Sequence, residues 1–214
     1  MRLWLIILIF YLNDFVFIGI YRSDCTWAEP ALLVADYAFR IAVLALIFTS
    51  AAMYRPINTS LALERYDGTD SVKDFGLLFL VYLLILPFVA LTALSGNASE
   101  TEKLWELLFR FQAGPNYALR VFDLTVGLLL VAIVEELVFR KLLLDRLKAR
   151  GFRWWIAIPL ATIIFAMMHW GGGTITVFVA GIFGVAWGAF YWVRGRVGAL
   201  IVWHYLANLH MNFL

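Results

Sequence analysis

Glu135 and Glu136 stand side by side in the apolar run 128–144, with Arg140 four residues beyond the second. Neighbouring residues on a helix point about 100° apart, so the two carboxylates face different surroundings and cannot share one job. Glu136 and Arg140 are spaced i,i+4 and can pair on one face, which leaves Glu135 turned toward another part of the interior. Burial favours the neutral form of a carboxyl, whereas a nearby guanidinium favours the charged one. Two carboxyls held in unlike states are what acid–base chemistry uses. His169 precedes Trp170 and the triplet Gly171 to Gly173. His204 and Asn208 are again i,i+4, and imidazole N–H and amide NH2 from one face can both donate to a developing negative charge. Each feature alone has a plainer explanation. A lone membrane histidine can be a packed, hydrogen-bonded residue, and a His/Asn pair can be interhelical glue. Asp36 and Arg40, also i,i+4, read as a structural ion pair.

The elements that must position these groups follow from composition. Of 214 residues, 64% are hydrophobic and 15% charged, and the mean hydropathy is +0.86. Soluble domains carry about a quarter charged residues, so this chain has too few to coat a soluble surface and belongs to the membrane class. A net charge of +2, with basic residues clustered in loops between apolar stretches, gives no sign of nucleic-acid binding. The single cysteine, Cys25, excludes an intramolecular disulfide and a cysteine-rich metal site.

The expected fold is all-α: one polytopic transmembrane bundle with spans near 3–20, 31–54, 75–94, 121–144, 155–170, 174–193 and 197–213. An amphipathic element over 99–111 lies in the membrane interface or packs on the bundle as a loop helix. The first span reads as a retained helix rather than a signal peptide, because Asn13 and Asp14 interrupt it and no small-x-small cleavage pattern follows. The whole chain, 1–214, reads as one membrane domain, with N-terminal helices over 1–95 and a helical core over 121–212. Lys141, Arg146, Lys148, Arg150 and Arg153 dominate the loop charge bias. They place the N-terminus in the cytoplasm of a multi-pass protein of the cytoplasmic (inner) membrane. Asn97-Ala98-Ser99 then forms a sequon on the outer side.

Depth tests whether the groups can meet. Counting rise from the same side, Glu135 lies roughly 16 Å above Arg146, His204 roughly 12 Å above Arg196 and His169 roughly 24 Å above Arg153. These depths are compatible with one site, with His169 highest. Gly181, Gly184 and Gly188 on the sixth span let a neighbouring helix approach closely, which reads as packing behind the site.

Taken together, Glu135-Glu136-Leu-Val-Phe-Arg140, Phe165-Ala-Met-Met-His169 and His204-Tyr-Leu-Ala-Asn208 form an ordered set on three apolar helices. This set resembles the EExxxR, FxxxH and HxxxN/D signature of the CPBP family, the type II CAAX prenyl protease and bacteriocin-processing (Abi) group. The resemblance covers roughly 121–212, and the first hundred residues carry none of it. It implies a glutamate-dependent intramembrane endopeptidase without an essential metal or cofactor, acting on a membrane-anchored or lipidated peptide or protein. By position, Glu135 with His169 would activate water, His204 and Asn208 would hold the oxyanion, and Glu136 with Arg140 would hold the site together. The residues are consistent with such chemistry.

Three other readings use the same residues. Two histidines and a glutamate can supply three zinc ligands, although no His-Glu-x-x-His helix is present. A non-catalytic membrane scaffold of the same fold is the second. A proton-coupled transporter ranks last, because neither inverted repeats nor paired broken helices are visible.

Overall fold

The computed structural model describes residues 2–21, 28–53, 68–95, 117–170 and 173–211. These residues are helical apart from short turns and contain no strand. They form α1 (Arg2–Tyr21), α2 (Ala28–Met53), α3 (Gly68–Ser95), a continuous helical run α4 (117–149), α5 (Trp154–Met167), α6 (Gly173–Arg194) and α7 (Val197–Met211). The amphipathic element expected over 99–111, the sequon at Asn97 and Cys25 lie outside the described residues.

Two stretches, Asp70–Ala90 and Gly173–Arg194, are long and apolar enough to cross a membrane, and Leu3–Asn13 and Trp154–Met167 are shorter apolar segments. Large side chains such as Leu84 on α3 and Ile163 on α5 face outward. Outward leucine and isoleucine are costly against water and comfortable against lipid.

The central element is α4. It is α-helical at both ends and in the middle, but widens into π-helix over Asp123–Gly127 and again over Glu136–Leu144. Such widened turns concentrate at functional sites, and the second begins at Glu136. Within it Glu136, Leu137, Val138, Phe139, Arg140, Leu143 and Leu144 are all buried. A helix buried on every side is a core helix; α1, α5, α6 and α7 surround this stretch.

The boundaries differ from the expected spans where charges pair. Helix α3 starts seven residues before position 75 because its first turns are anchored to the turn between α6 and α7. There Asp74 receives Arg194 Nε at 2.7 Å and Arg196 Nη1 at 2.9 Å, and Asp70 receives Arg196 Nη2 at 2.8 Å. Helix α4 runs past 144 because Asp145 is held by Lys141 at 3.2 Å and by the Tyr191 hydroxyl at 3.1 Å. The start of α3, the end of α4 and the α6–α7 turn thus share one end of the bundle. Helix α5 stops at Met167, and Met168 and His169 close it with backbone N–H bonds to Phe165 and Ala166. His169 therefore sits on a turn rather than on the helix.

Helices α5 and α6 pack at very close range. A Cβ on Gly184 would lie 2.9 Å from Thr162 Cγ2, and one on Gly188 would lie 3.2 Å from Ile158 Cγ2. The small residues of α6 are spent on this contact inside the chain, as expected for packing behind the site.

Candidate active site

Glu136, the first residue of the second π segment, is fully buried and carries two contacts. His204 Nδ1 from α7 lies 2.8 Å from its Oε1, and Arg140 Nε lies 3.3 Å from its Oε2. The widened turn keeps Arg140 on the same inner face, so the i,i+4 pair read in the sequence exists here in π rather than α geometry. His204 turns its other nitrogen to the first glutamate: Nε2 lies 3.7 Å from Glu135 Oε2. One imidazole thus bridges two adjacent carboxylates that the helix points in different directions.

Glu135 is 5% exposed. Its Oε1 faces Arg40 Nη1 of α2 at 3.5 Å, while its Oε2 accepts no hydrogen bond. A buried carboxylate oxygen without a donor is costly, and such groups in a native fold call for an explanation in function. His169 Nδ1 is tied to the Phe165 carbonyl at 3.1 Å, which fixes the ring and leaves Nε2 as its second polar atom. The ring lies within electrostatic reach of Glu135, His204 and Arg40. Asn208 is partly buried one turn beyond His204 on α7. The structure therefore joins Glu135, Glu136, Arg140 and His204 by direct contact, sets His169 against the same charges and keeps Asn208 on the adjoining turn.

Aromatic rings frame the charged groups. The Arg140 guanidinium lies 4.4 Å from the Phe165 ring centroid and 5.9 Å from that of Trp187. His169 packs edge-on against Phe165 at 4.9 Å, and His204 lies 4.8 Å from Trp187. A guanidinium over a ring face gains quadrupole attraction once desolvated. Both terminal nitrogens of Arg140 are buried without a hydrogen bond, as is Thr162 Oγ1. These atoms line a narrow crevice floored by Phe165, Gly184 and Gly188.

Sequence reasoning missed three contributors. Phe165 entered only as the first residue of the FxxxH motif, with no role of its own, and Trp187 only as a generic aromatic residue. Arg40 was read as half of an ion pair with Asp36, and that pair is present at 2.7 Å. A guanidinium has five N–H donors, so one carboxylate on its own helix could never have exhausted it; that surplus was the available signal.

Among the described residues, no group of three or more His, Cys, Asp or Glu side chains is arranged to hold a metal ion. Residues 117–210 match the family model described as Type II CAAX prenyl endopeptidase Rce1-like. No curated protein and no solved structure matches the chain.

Proposed function

Residues 117–210 match the Rce1-like type II CAAX prenyl endopeptidase family model, and from that premise we propose that this chain is a glutamate-dependent intramembrane endopeptidase. Its substrate is a peptide bond in a membrane-anchored or lipidated peptide or protein. The reading extends to the whole chain as one seven-span membrane domain with its N-terminus in the cytoplasm, its catalytic core formed by 121–212.

The observation that carries the reading is the free oxygen of Glu135. Oε2 is buried, accepts no hydrogen bond and lies 3.7 Å from His204 Nε2. A water resting on Oε2 would meet imidazole groups of His169 and His204, as a general base and its partners require. Glu135 takes the proton as the water oxygen attacks the scissile carbonyl carbon. The carbonyl oxygen becomes an oxyanion, to which Asn208 and His204 donate. Glu136 Oε1 lies 2.8 Å from Nδ1 of His204, which fixes the ring. Glu135 then returns the proton to the leaving amine, and the C–N bond breaks. Arg140 offsets the charge of Glu136 and acts as a support rather than as a reactant.

The test compares membrane-peptide profiles of cells carrying the wild type and Glu135→Ala. Cleavage products present with the wild type should vanish with the variant while the protein still accumulates in the membrane. A product set that is unchanged in the variant would remove the main support for proteolysis and favour the scaffold reading.

A further inference from the structure

We infer that Arg40, on α2 and outside the family-matched segment, is a positioning residue of the active site: it grips Oε1 of Glu135 so that Oε2 is presented to the substrate water. The inference rests on Glu135 acting as the base. Four groups on three helices form a directed chain in which every link uses a different atom. Asn13 Nδ2 of α1 donates to Asp36 Oδ1 at 3.0 Å. Asp36 Oδ2 accepts from Arg40 Nε at 2.7 Å, and Arg40 Nη1 reaches Glu135 Oε1 at 3.5 Å. The chain ends on Glu135 Oε1 and leaves Oε2 as the oxygen that accepts no hydrogen bond.

Two physical needs make this grip useful. The terminal torsion of a glutamate is broad and nearly free, so an unheld carboxylate would point Oε2 away from the water much of the time. Two adjacent buried carboxylates also repel. Arg140 is turned to Glu136, and Arg40 brings the matching guanidinium to Glu135. Asp36 and Arg40 are each 13% exposed at the side chain, so their interaction is little screened. Arg40 is also in electrostatic reach of His169, on the far side of the proposed water. A guanidinium fork can hold Asp36 and Glu135 at once; an ammonium is a point charge and cannot.

The test uses the full-length protein in lipid nanodiscs and a synthetic peptide taken from a cleavage product that vanishes in Glu135→Ala cells. Arg40→Met should lower kcat by about 100-fold and leave KM within about twofold, with an unchanged melting temperature. Arg40→Lys should recover about tenfold of that loss, because charge returns without the fork. Asp36→Asn should cost a few-fold alone and nothing further on top of Arg40→Met, since it acts through Arg40. Wild-type kcat in Arg40→Met overturns the inference, and so does a loss confined to KM or to the folded fraction. If Arg40→Met does not fold, Arg40→Lys decides: about a tenfold lower kcat at constant KM supports the inference, and a wild-type kcat overturns it. Glu135→Ala separates the two levels. If it still cleaves, the protease reading itself fails and takes this inference with it; if it is dead while Arg40→Met is fully active, only the role of Arg40 fails.

Discussion

The bundle holds two clusters in which carboxylates meet arginines, and they are built on opposite plans. At the helix ends Asp70 and Asp74 face Arg194 and Arg196, two acids against two bases. Both Asp74 oxygens lie within 2.9 Å of a guanidinium nitrogen. In the interior Asp36, Glu135 and Glu136 face Arg40 and Arg140, with His169 and His204 between them. The contacts there stretch to 3.3, 3.5 and 3.7 Å, and Glu135 Oε2, Glu136 Oε2 and both terminal nitrogens of Arg140 accept or donate no hydrogen bond. Short, matched pairs pin helices together. An unmatched cluster keeps hydrogen-bonding capacity in reserve for a group that arrives later, and that reserve costs stability. Asp74 Oδ2 also accepts no hydrogen bond although it lies 2.9 Å from Arg196 Nη1, so the two clusters differ in how closely their ions approach rather than in charge or in full saturation.

Exchanging the effects of mutation between the two clusters would break this contrast. Glu135→Gln keeps the shape of the side chain and removes the base, so cleavage of the peptide used above should fall by about 10³-fold or more with little change in melting temperature. Asp74→Ala should do the reverse. It removes the carboxylate that holds Arg194 and one of the two that face Arg196, which keeps Asp70 at 2.8 Å, so the apparent melting temperature should fall by several degrees. Turnover per folded molecule should be preserved. A large activity loss for Asp74→Ala at unchanged stability would show that the end cluster, too, belongs to the catalytic machinery.

What the sequence could and could not reveal follows the same division. The membrane class was legible because composition is a sum over the chain, and the helices because apolar runs are long. The contact of Glu136 with Arg140 was legible because both lie within one turn. Contacts between helices are different, since no spacing rule links position 40 to 135 or 136 to 204. The meeting of His204 with both glutamates was anticipated only as compatible depth. The π turns of α4 were invisible as well. The second arises where Glu136 and Arg140 both face inward on a helix with neighbours all around it, a tertiary demand that leaves no local mark. Likewise α3 begins early because Asp70 and Asp74 find arginines at the α6–α7 turn, more than a hundred residues away in the chain.

A smaller effect is expected at the helix contact that backs the interior cluster. Gly184 lies against Thr162 and Phe165, and a Cβ there would come within 2.9 Å of Thr162 Cγ2. Gly184→Ala should push α5 from α6 and cost about 1–3 kcal/mol by overpacking. Because Phe165 supports both Arg140 and His169, the same shift should lower kcat by about tenfold. If thermal stability fell while kcat held, the seating of Phe165 would matter less to the interior cluster than its position implies.

The least effect is expected from metal removal, and that null result is informative because the interior cluster has more carboxylates than arginines. An excess of buried negative charge can serve a water, or it can attract a cation. The histidines favour the water. His204 Nδ1 is taken by Glu136, His169 Nδ1 by the Phe165 carbonyl, and His210 Nδ1 meets the Tyr82 hydroxyl on the far side of α7. Among the described residues these groups do not converge as a ligand set, whereas a catalytic zinc needs three protein ligands around one point. Dialysis against a strong chelator should therefore change cleavage by less than about twofold. Loss of activity that returns on adding zinc would convert the unmatched charge of the interior cluster from a water-activating device into a metal site.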